Sequence, residues 1–316
     1  MLSNLHTTYS SVCIFFVTNC ISTHPTILTD CLHRVVPSIN KRKHLYALTQ
    51  TNLEHTTFHK FEDLFKTEIT DMNLCTEATH SIRTWTKQPI YQRSTRFPIH
   101  LEKQLDDTFQ TLLKHNIIKE SKSPYCSRIV PVLKPDGTLR PCIDFRPLNS
   151  ITIKDRYPIP RIDEILDALS KAKIFSTLDA TSEYYQLAMN PEDAEKTAFA
   201  YKNGFFEFTR MPFGLCNAPA TFQRAIDNIL RKERFKIVIP YLDDIIVYSN
   251  NEKEHQEHLK VILGKLKASG LSLNKKKCRL FRTQIRILGQ IVSEGKVATD
   301  PERISAIRTF PRPQTV

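Results

Sequence analysis

A chain of 316 residues, 41% of them hydrophobic, carries enough apolar material for a large core, which excludes the small disulfide- or metal-stapled classes. With 45 Lys and Arg against 33 Asp and Glu, the formal charge is +12 and the expected partner is a polyanion, nucleic acid above all. Cysteines at positions 13, 20, 31, 75, 126, 142, 216 and 278 form no Cys-x-x-Cys pair and have no matching histidine spacing. Zinc knuckles and a disulfide framework are therefore excluded, and a reducing intracellular, cytoplasmic setting is expected.

Residues 1–55 are rich in Thr, Ser, His and Asn, hold no glycine and show no sustained period, so they form an uncharacterised N-terminal segment. Within it, Val12–Ile21 is apolar but short and is broken by Thr18, Asn19 and Cys20. It reads as core or disordered terminus, neither anchor nor signal peptide, and no membrane partner is expected. Residues 56–100 form an extended lead-in, with a short amphipathic helix over Phe58–Phe65 and a proline-marked stretch from Thr84 to Pro98. Leu101, Leu105, Phe109 and Leu112 then recur at helical spacing toward an end near Asn116.

A hairpin follows, Ile129–Leu133 and Leu139–Phe145 around Pro135-Asp136-Gly137. Next come a helix over 161–170, a strand over 174–179, and strands near Thr197–Tyr201 and Phe205–Thr209 joined at Asn203-Gly204. A helix over 218–231 leads to a second hairpin, whose tip is Asp243-Asp244. Ser249 with Glu252 reads as a capping box opening a helix that runs to Ala268 and stops at Gly270. That helix is amphipathic through Leu259, Ile262 and Leu266, so His255 and His258 read as a solvated polar face rather than a metal cluster. A strand near Ile285–Val292 and a helix after Asp300-Pro301 complete the order. Helices and strands mixed without strict alternation predict an α+β fold, a sheet backed by helices.

The chemistry concentrates in the acids. Asp243 and Asp244 sit side by side between the apolar runs Ile237–Pro240 and Ile245–Tyr248, where two like charges are costly unless a cation or solvent neutralises them. Asp179 ends another apolar run, Ile174–Leu178, and the intervening chain is long enough to bring the three together. An oxygen-only donor set favours Mg²⁺, or Mn²⁺, over zinc.

The order Phe175-Ser176-Thr177-Leu178-Asp179, Met211-Pro212-Phe213-Gly214 through Gln223, and Tyr241-Leu242-Asp243-Asp244 resembles the reverse transcriptases of gypsy-type LTR retrotransposon Pol polyproteins. Lys134 through Arg140, Asp144-Phe145-Arg146-Pro147-Leu148-Asn149, Gly270–Asn274, Lys277-Cys278 and Leu288-Gly289 fit the same series. The similarity covers roughly residues 56–314 and rests on several motifs in one fixed order.

The resemblance implies a right-hand polymerase fold over residues 101–316, with fingers and a palm of antiparallel strands backed by helices, truncated before thumb, connection and RNase H. It implies an RNA-directed DNA polymerase that adds deoxynucleoside triphosphates to a primer 3′-OH on an RNA or DNA template, using two Mg²⁺ ions. For an active element, the setting would be a virus-like particle.

Among the residues, it implies metal binding by Asp179 and Asp243 with Asp244 in support, and triphosphate contacts from Lys134 and Arg140. Tyr184 would lie beneath the sugar and exclude ribonucleotides, while Phe213 and Gly214 would line the nucleotide pocket. Gln223 would touch template, Arg146 would hold template or pack locally, and Leu288-Gly289 would position the primer end. Lys277 would protonate the leaving pyrophosphate, with a solvated basic run over Lys275–Lys277 as the alternative.

Glu183 departs from the family, which places a very small residue there, and a carboxylate beside a triphosphate repels it. A copy that binds template and primer without polymerising, and an RNA-directed RNA polymerase, are the rival readings.

Overall fold

The computed structural model describes residues 52–66, 72–93, 97–133 and 139–301. The chain divides into Met1–Thr57 and a body, Phe58–Val316, to which every labelled element below belongs. Val12–Ile21, Lys134, the Pro135–Gly137 turn and most of the helix expected after Asp300 lie outside the described residues.

In chain order the body contains β1 (Cys75–His80), α1 (Ile99–Lys114), β2 (Ile118–Glu120), β3 (Arg128–Leu133), β4 (Leu139–Asp144), α2 (Arg146–Ile151) and α3 (Ile162–Ser170). β5 (Ile174–Asp179), a 3-10 turn (Glu183–Gln186), β6 (Leu187–Met189), α4 (Pro191–Ala194), β7 (Phe199–Tyr201) and β8 (Gly204–Phe208) follow. The remainder is α5 (Ala218–Ile229), β9 (Val238–Tyr241), β10 (Asp244–Ser249), α6 (Glu252–Ala268), β11 (Arg279–Arg282), β12 (Gln284–Ile287), β13 (Gln290–Ser293) and β14 (Lys296–Thr299).

The centre is an antiparallel sheet in the order β11-β5-β10-β9. Its inner strands are buried on both faces, which explains why they read as continuous apolar runs without alternation. Because paired residues share a face, Phe175, Ile239 and Ile246 point to one side, where Ile165 and Leu169 of α3 and Ile285, Ile287 and Val292 of the β12–β13 hairpin close the core. The other side carries Ser176, Val247 and Ser249 and packs against α6.

A second, aromatic core joins α1 to the β2-β8-β7 sheet, with the Phe109 ring tilted against Phe199 (5.4 Å) and Tyr201 (4.5 Å). α1 ends where expected, at Asn116 in the left-handed region (φ 51°). The β3–β4 hairpin projects from this part in continuous register from Arg128↔Asp144 to Leu133↔Leu139.

Several expectations need correction. The strand expected over Ile285–Val292 is a hairpin with Leu288-Gly289 at its tip; both residues have positive φ, 53° and 76°, as a two-residue turn requires, and leucine gave no signal for it. The cap of α6 is Asn251, which accepts from Glu254 N at 2.9 Å, because the Ser249 hydroxyl is taken by His255 and His258. His255 is fully buried rather than solvated. Residues 52–60 are helical and Glu62–Leu64 is a 3-10 turn, so the helix expected over 58–65 begins earlier and breaks sooner. Part of the lead-in is paired: Thr84 bridges Thr152 and Tyr91 bridges Cys126.

Candidate active site

β5 and β10 pair in a register that sets Asp179 directly opposite Asp244. Cα atoms in such a pair lie about 4.5–5.5 Å apart with both side chains on one face, so the strands alone bring two carboxylates together. Asp243 adds a third from the two-residue turn between β9 and β10. That turn is strained, since Leu242 has φ 51°, a conformation unfavourable for leucine.

Gln223 of α5 holds the turn. Its amide accepts from Leu242 N (2.7 Å) and donates to Pro240 O (3.1 Å) and Asp227 Oδ1 (3.1 Å). Fully buried, with both ends of the amide engaged, Gln223 has no group left for template. The template role expected of it is thus replaced by support of the Asp-Asp turn, a pairing that only the docking of α5 creates.

The carboxyls of Asp243 and Asp244 are both held above the ordinary aspartate range, first by partial desolvation and then by Asp179. Lys277 opposes this. Its ammonium lies 3.2 Å from Asp179 Oδ1, whereas Lys275 sits over the Phe58 ring, so geometry selects Lys277 from the basic run.

Asp179 Oδ1 is buried and makes no hydrogen bond, and the Lys277 ammonium beside it balances its charge. Three neighbouring carboxylates, an oxygen-only donor set, fit a divalent metal. Among the described residues no three acidic, His or Cys side chains enclose a single ion, so water and substrate oxygens would complete the coordination, as Mg²⁺ prefers.

These residues open onto a cleft of about 610 Å³, lined by Asp179, Glu183, Asp243 and Lys277 together with Arg140, Tyr185, Phe213 and Gly214. Arg140 stacks its guanidinium 4.5 Å from the Phe213 ring centroid. Gly214 has φ +94°, and Asn149 fastens the loop by donating to Gly214 O (2.8 Å) and accepting from Cys216 N (2.9 Å).

Tyr184 lies beside the acids: burial, then the charges of Asp243 and Glu183, push its phenol above the ordinary tyrosine range. Its ring packs on Phe213 (4.9 Å) and Phe222 (6.1 Å), while Tyr185 lines the cleft. In a 3-10 turn residues three apart share a face, so Ser182 and Tyr185 turn toward the cleft together. Sequence reasoning missed Tyr185 and the anchoring role of Asn149.

Glu183 is in the cleft wall, its carboxyl pushed up to about 7 by burial and then by Asp243 and Asp179. Arg146 is largely exposed and forks onto Asp144 (2.7 and 2.9 Å), which keeps that carboxyl far below its usual range. Leu288 packs against the core face that also carries the acids, while the Gly289 carbonyl accepts from Asp300 N.

Residues 132–292 match the family model described as reverse transcriptase (RNA-dependent DNA polymerase). This chain belongs to that family. It is 39% identical over 307 residues to the retrovirus-related Pol polyprotein from transposon opus of Drosophila melanogaster, covering 94% of this chain and 30% of the relative. To the corresponding polyprotein from transposon gypsy it is 41% identical over 248 residues, 76% of this chain and 24% of the relative. The reverse transcriptase chain therefore spans under a third of these curated relatives, and the opus alignment covers more than residues 56–314 can supply, so the similarity reaches into the N-terminal segment.

Among solved structures, the foamy viral protease–reverse transcriptase in complex with RNA/DNA hybrid matches with a TM-score of 0.73 at 22% identity, over 92% of this chain and 38% of that one. A foamy viral protease–reverse transcriptase in complex with double-stranded DNA gives 0.75 at 22% identity, over 92% and 50%. The α+β polymerase fold is the one expected. Reverse transcriptases generally use divalent metal ions. No described helix is long and apolar enough to cross a membrane.

Proposed function

We propose that this chain is an RNA-directed DNA polymerase that joins deoxynucleotides to a primer 3′-OH, with RNA or DNA as template. The observation that carries the reading is the Asp179↔Asp244 register with Asp243 on the adjoining turn. Two Mg²⁺ ions held by Asp179 and Asp243, with Asp244 in support, would stabilise charge on the attacking and leaving oxygens.

The side chains of the cleft have separate tasks. Arg140, pre-set by stacking on Phe213, offers a planar fork to the triphosphate. Phe213 and the left-handed Gly214, pinned by Asn149, shape the floor on which the nucleotide rests. Lys277 keeps an ammonium beside Asp179, where it can deliver a proton to departing pyrophosphate. Tyr184, braced against Phe213, sets how far the sugar can descend and so acts on 2′-OH exclusion through that ring. Lys134, Arg146 and Leu288-Gly289 are assigned to triphosphate, template and primer by family resemblance.

Primer extension on poly-A template with Mg²⁺ or Mn²⁺ tests this. Deoxynucleotide incorporation that disappears in Asp243→Asn is expected. Equal use of ribo- and deoxynucleotides by the unmutated chain would instead favour RNA synthesis. Glu183 in the cleft wall supports a second reading, a copy that retains template–primer but does not extend it; salt-sensitive binding with no incorporation, even in Glu183→Gly, would establish that one.

A further inference from the structure

Asp227 is a carboxylate of α5 that is only 5% exposed, does not line the cleft, and has no task in the reaction proposed above. Its two oxygens are divided. Oδ1 accepts from the Gln223 amide (3.1 Å), while Oδ2 accepts from the Tyr157 hydroxyl (2.8 Å) and the Arg234 guanidinium (3.2 Å). Arg234 alone would balance the charge of a buried aspartate. The bond to Gln223 goes beyond that, and it reaches the residue that holds the Asp-Asp turn.

Gln223 and Asp227 stand one helical turn apart, so one face of α5 carries both. Gln223 Oε1 accepts from Leu242 N (2.7 Å), and its NH₂ group is shared between Pro240 O and Asp227 Oδ1 (3.1 Å each). An ionised carboxylate accepts and cannot donate, so Asp227 admits only the NH₂ end of the amide and leaves its oxygen facing Leu242 N. The other two bonds of the amide both go to the turn. Without Asp227, only the rotatable stem of Gln223 would fix where the amide sits.

The carboxylate is itself braced from outside the helix. Arg224 lies 4.7 Å from the Tyr157 ring centroid and pairs with Asp155 at 2.7 Å, which presses the Tyr157 segment onto α5. Asn217 fastens the same segment at the helix start, accepting from Asp155 N (3.1 Å) and donating to Ile153 O (2.8 Å). Arg234 arrives separately, from the connection between α5 and β9.

We propose that Asp227 is a positioning residue for the polymerase site: it holds the Gln223 amide in the orientation that pins Leu242, and so keeps the Asp243 carboxylate in the cleft. Its effect on catalysis rests on the polymerase reading above; the restraint on the turn does not.

The full chain carrying Asp227→Ala is compared with Gln223→Ala and with the double substitution, by hydrogen exchange at the Leu242 amide and by steady-state primer extension. The Phe281 amide, which donates to Ser176 Oγ at 3.0 Å on the α6 side of the central sheet, reports opening of the whole fold. Asp227→Ala should speed exchange at Leu242 but not at Phe281, and should lower kcat about 10-fold with KM for the nucleotide held. In the Gln223→Ala background the same substitution should change neither readout, because it acts through that amide. Should the single variant not fold, Asp227→Ala/Arg234→Met, which leaves no unpaired cation, should fold and show the same two losses.

Unchanged exchange at Leu242, a rise there matched at Phe281, or losses in kcat that multiply in the double variant would overturn the proposal and leave Asp227 an ordinary buried ion pair. Faster Leu242 exchange in a chain that never extends a primer would keep Asp227 as the residue that positions the turn and sink the polymerase.

Discussion

At one end of the β5–β10 pair, Asp179 faces Asp244 across the strands, Leu242 is forced left-handed, and an acceptor of Asp179 lies buried without a hydrogen bond. At the other end, His255 of α6 closes on Ser176 (2.7 Å) and Ser249 (2.8 Å), and the Ser176 hydroxyl also accepts from Phe281 N (3.0 Å). The same two strands thus carry like charge and strain where the cleft opens and a satisfied polar clamp where the sheet is sealed. Frustration at the reacting end persists because the far end over-determines the register.

The largest effect should come from breaking the cleft end. Asp243→Asn, or Asp179→Asn, should lower single-turnover primer extension on the order of 10²–10³ or more, without lowering the melting temperature. Activity that survives either change would mean that the acids are ordinary turn residues.

Breaking the sealed end should act through stability instead. His255→Ala takes one partner from each of two buried hydroxyls and leaves a cavity, at a cost of about 3 kcal/mol in chemical denaturation. Two buried histidines, His255 at this end and His80 on β1 against Thr221, predict acid lability. Burial pushes the His255 imidazole down to about 3 and that of His80 to about 4, from 6.5. A base with a depressed folded pKa contributes stability that is complete above pH 6.5 and is lost as pH falls toward the folded value, because the unfolded chain takes up the protons. Stability should therefore fall from pH 6.5 toward 4, and His255→Ala should flatten that slope.

Glu183 sharpens the comparison in the opposite pH direction. Its carboxyl is raised to about 7, so its contribution is present below 4.5 and is lost as pH rises through 7. In chelator, Glu183→Gln should gain on the unmutated chain across that window, reaching about 2 kcal/mol after allowance for solvent in the open cleft. With metal and substrate restored, the same substitution should lower KM for the nucleotide.

How far the sequence discloses this differs between the ends. Asp179, Asp243 and Asp244 could be placed together because apolar runs bracket each acid, and those runs pair antiparallel with the acids at one end. The clamp was concealed. His255 shares its helix face with Leu259, Ile262 and Leu266, which marks it as inward, but the neighbouring Glu254 and Glu257 suggested solvent. Gln223 was concealed more deeply, since its partners lie on a turn that approaches only once α5 has docked. Ser249 offered a plausible cap, and what diverted it was a histidine of the same helix. Composition reveals a polar residue's capacity to bond; the partner it finds belongs to the tertiary fold.

The smallest effect probes whether the like-charge cost at the cleft end is real. Asp244→Asn removes one of two carboxylates directly opposed across the strands, so it should stabilise the chain by about 0.2–1 kcal/mol in chelator and low salt. Both acids of the turn are exposed, so the gain should shrink as salt screens them. If no gain appears, Lys277, 3.2 Å from Asp179, already neutralises the pair. The double substitution then decides: in a Lys277→Ala background the Asp244→Asn gain should emerge in full. Its absence there too would mean that the register is held by the far end alone, with the acids contributing nothing to its stability.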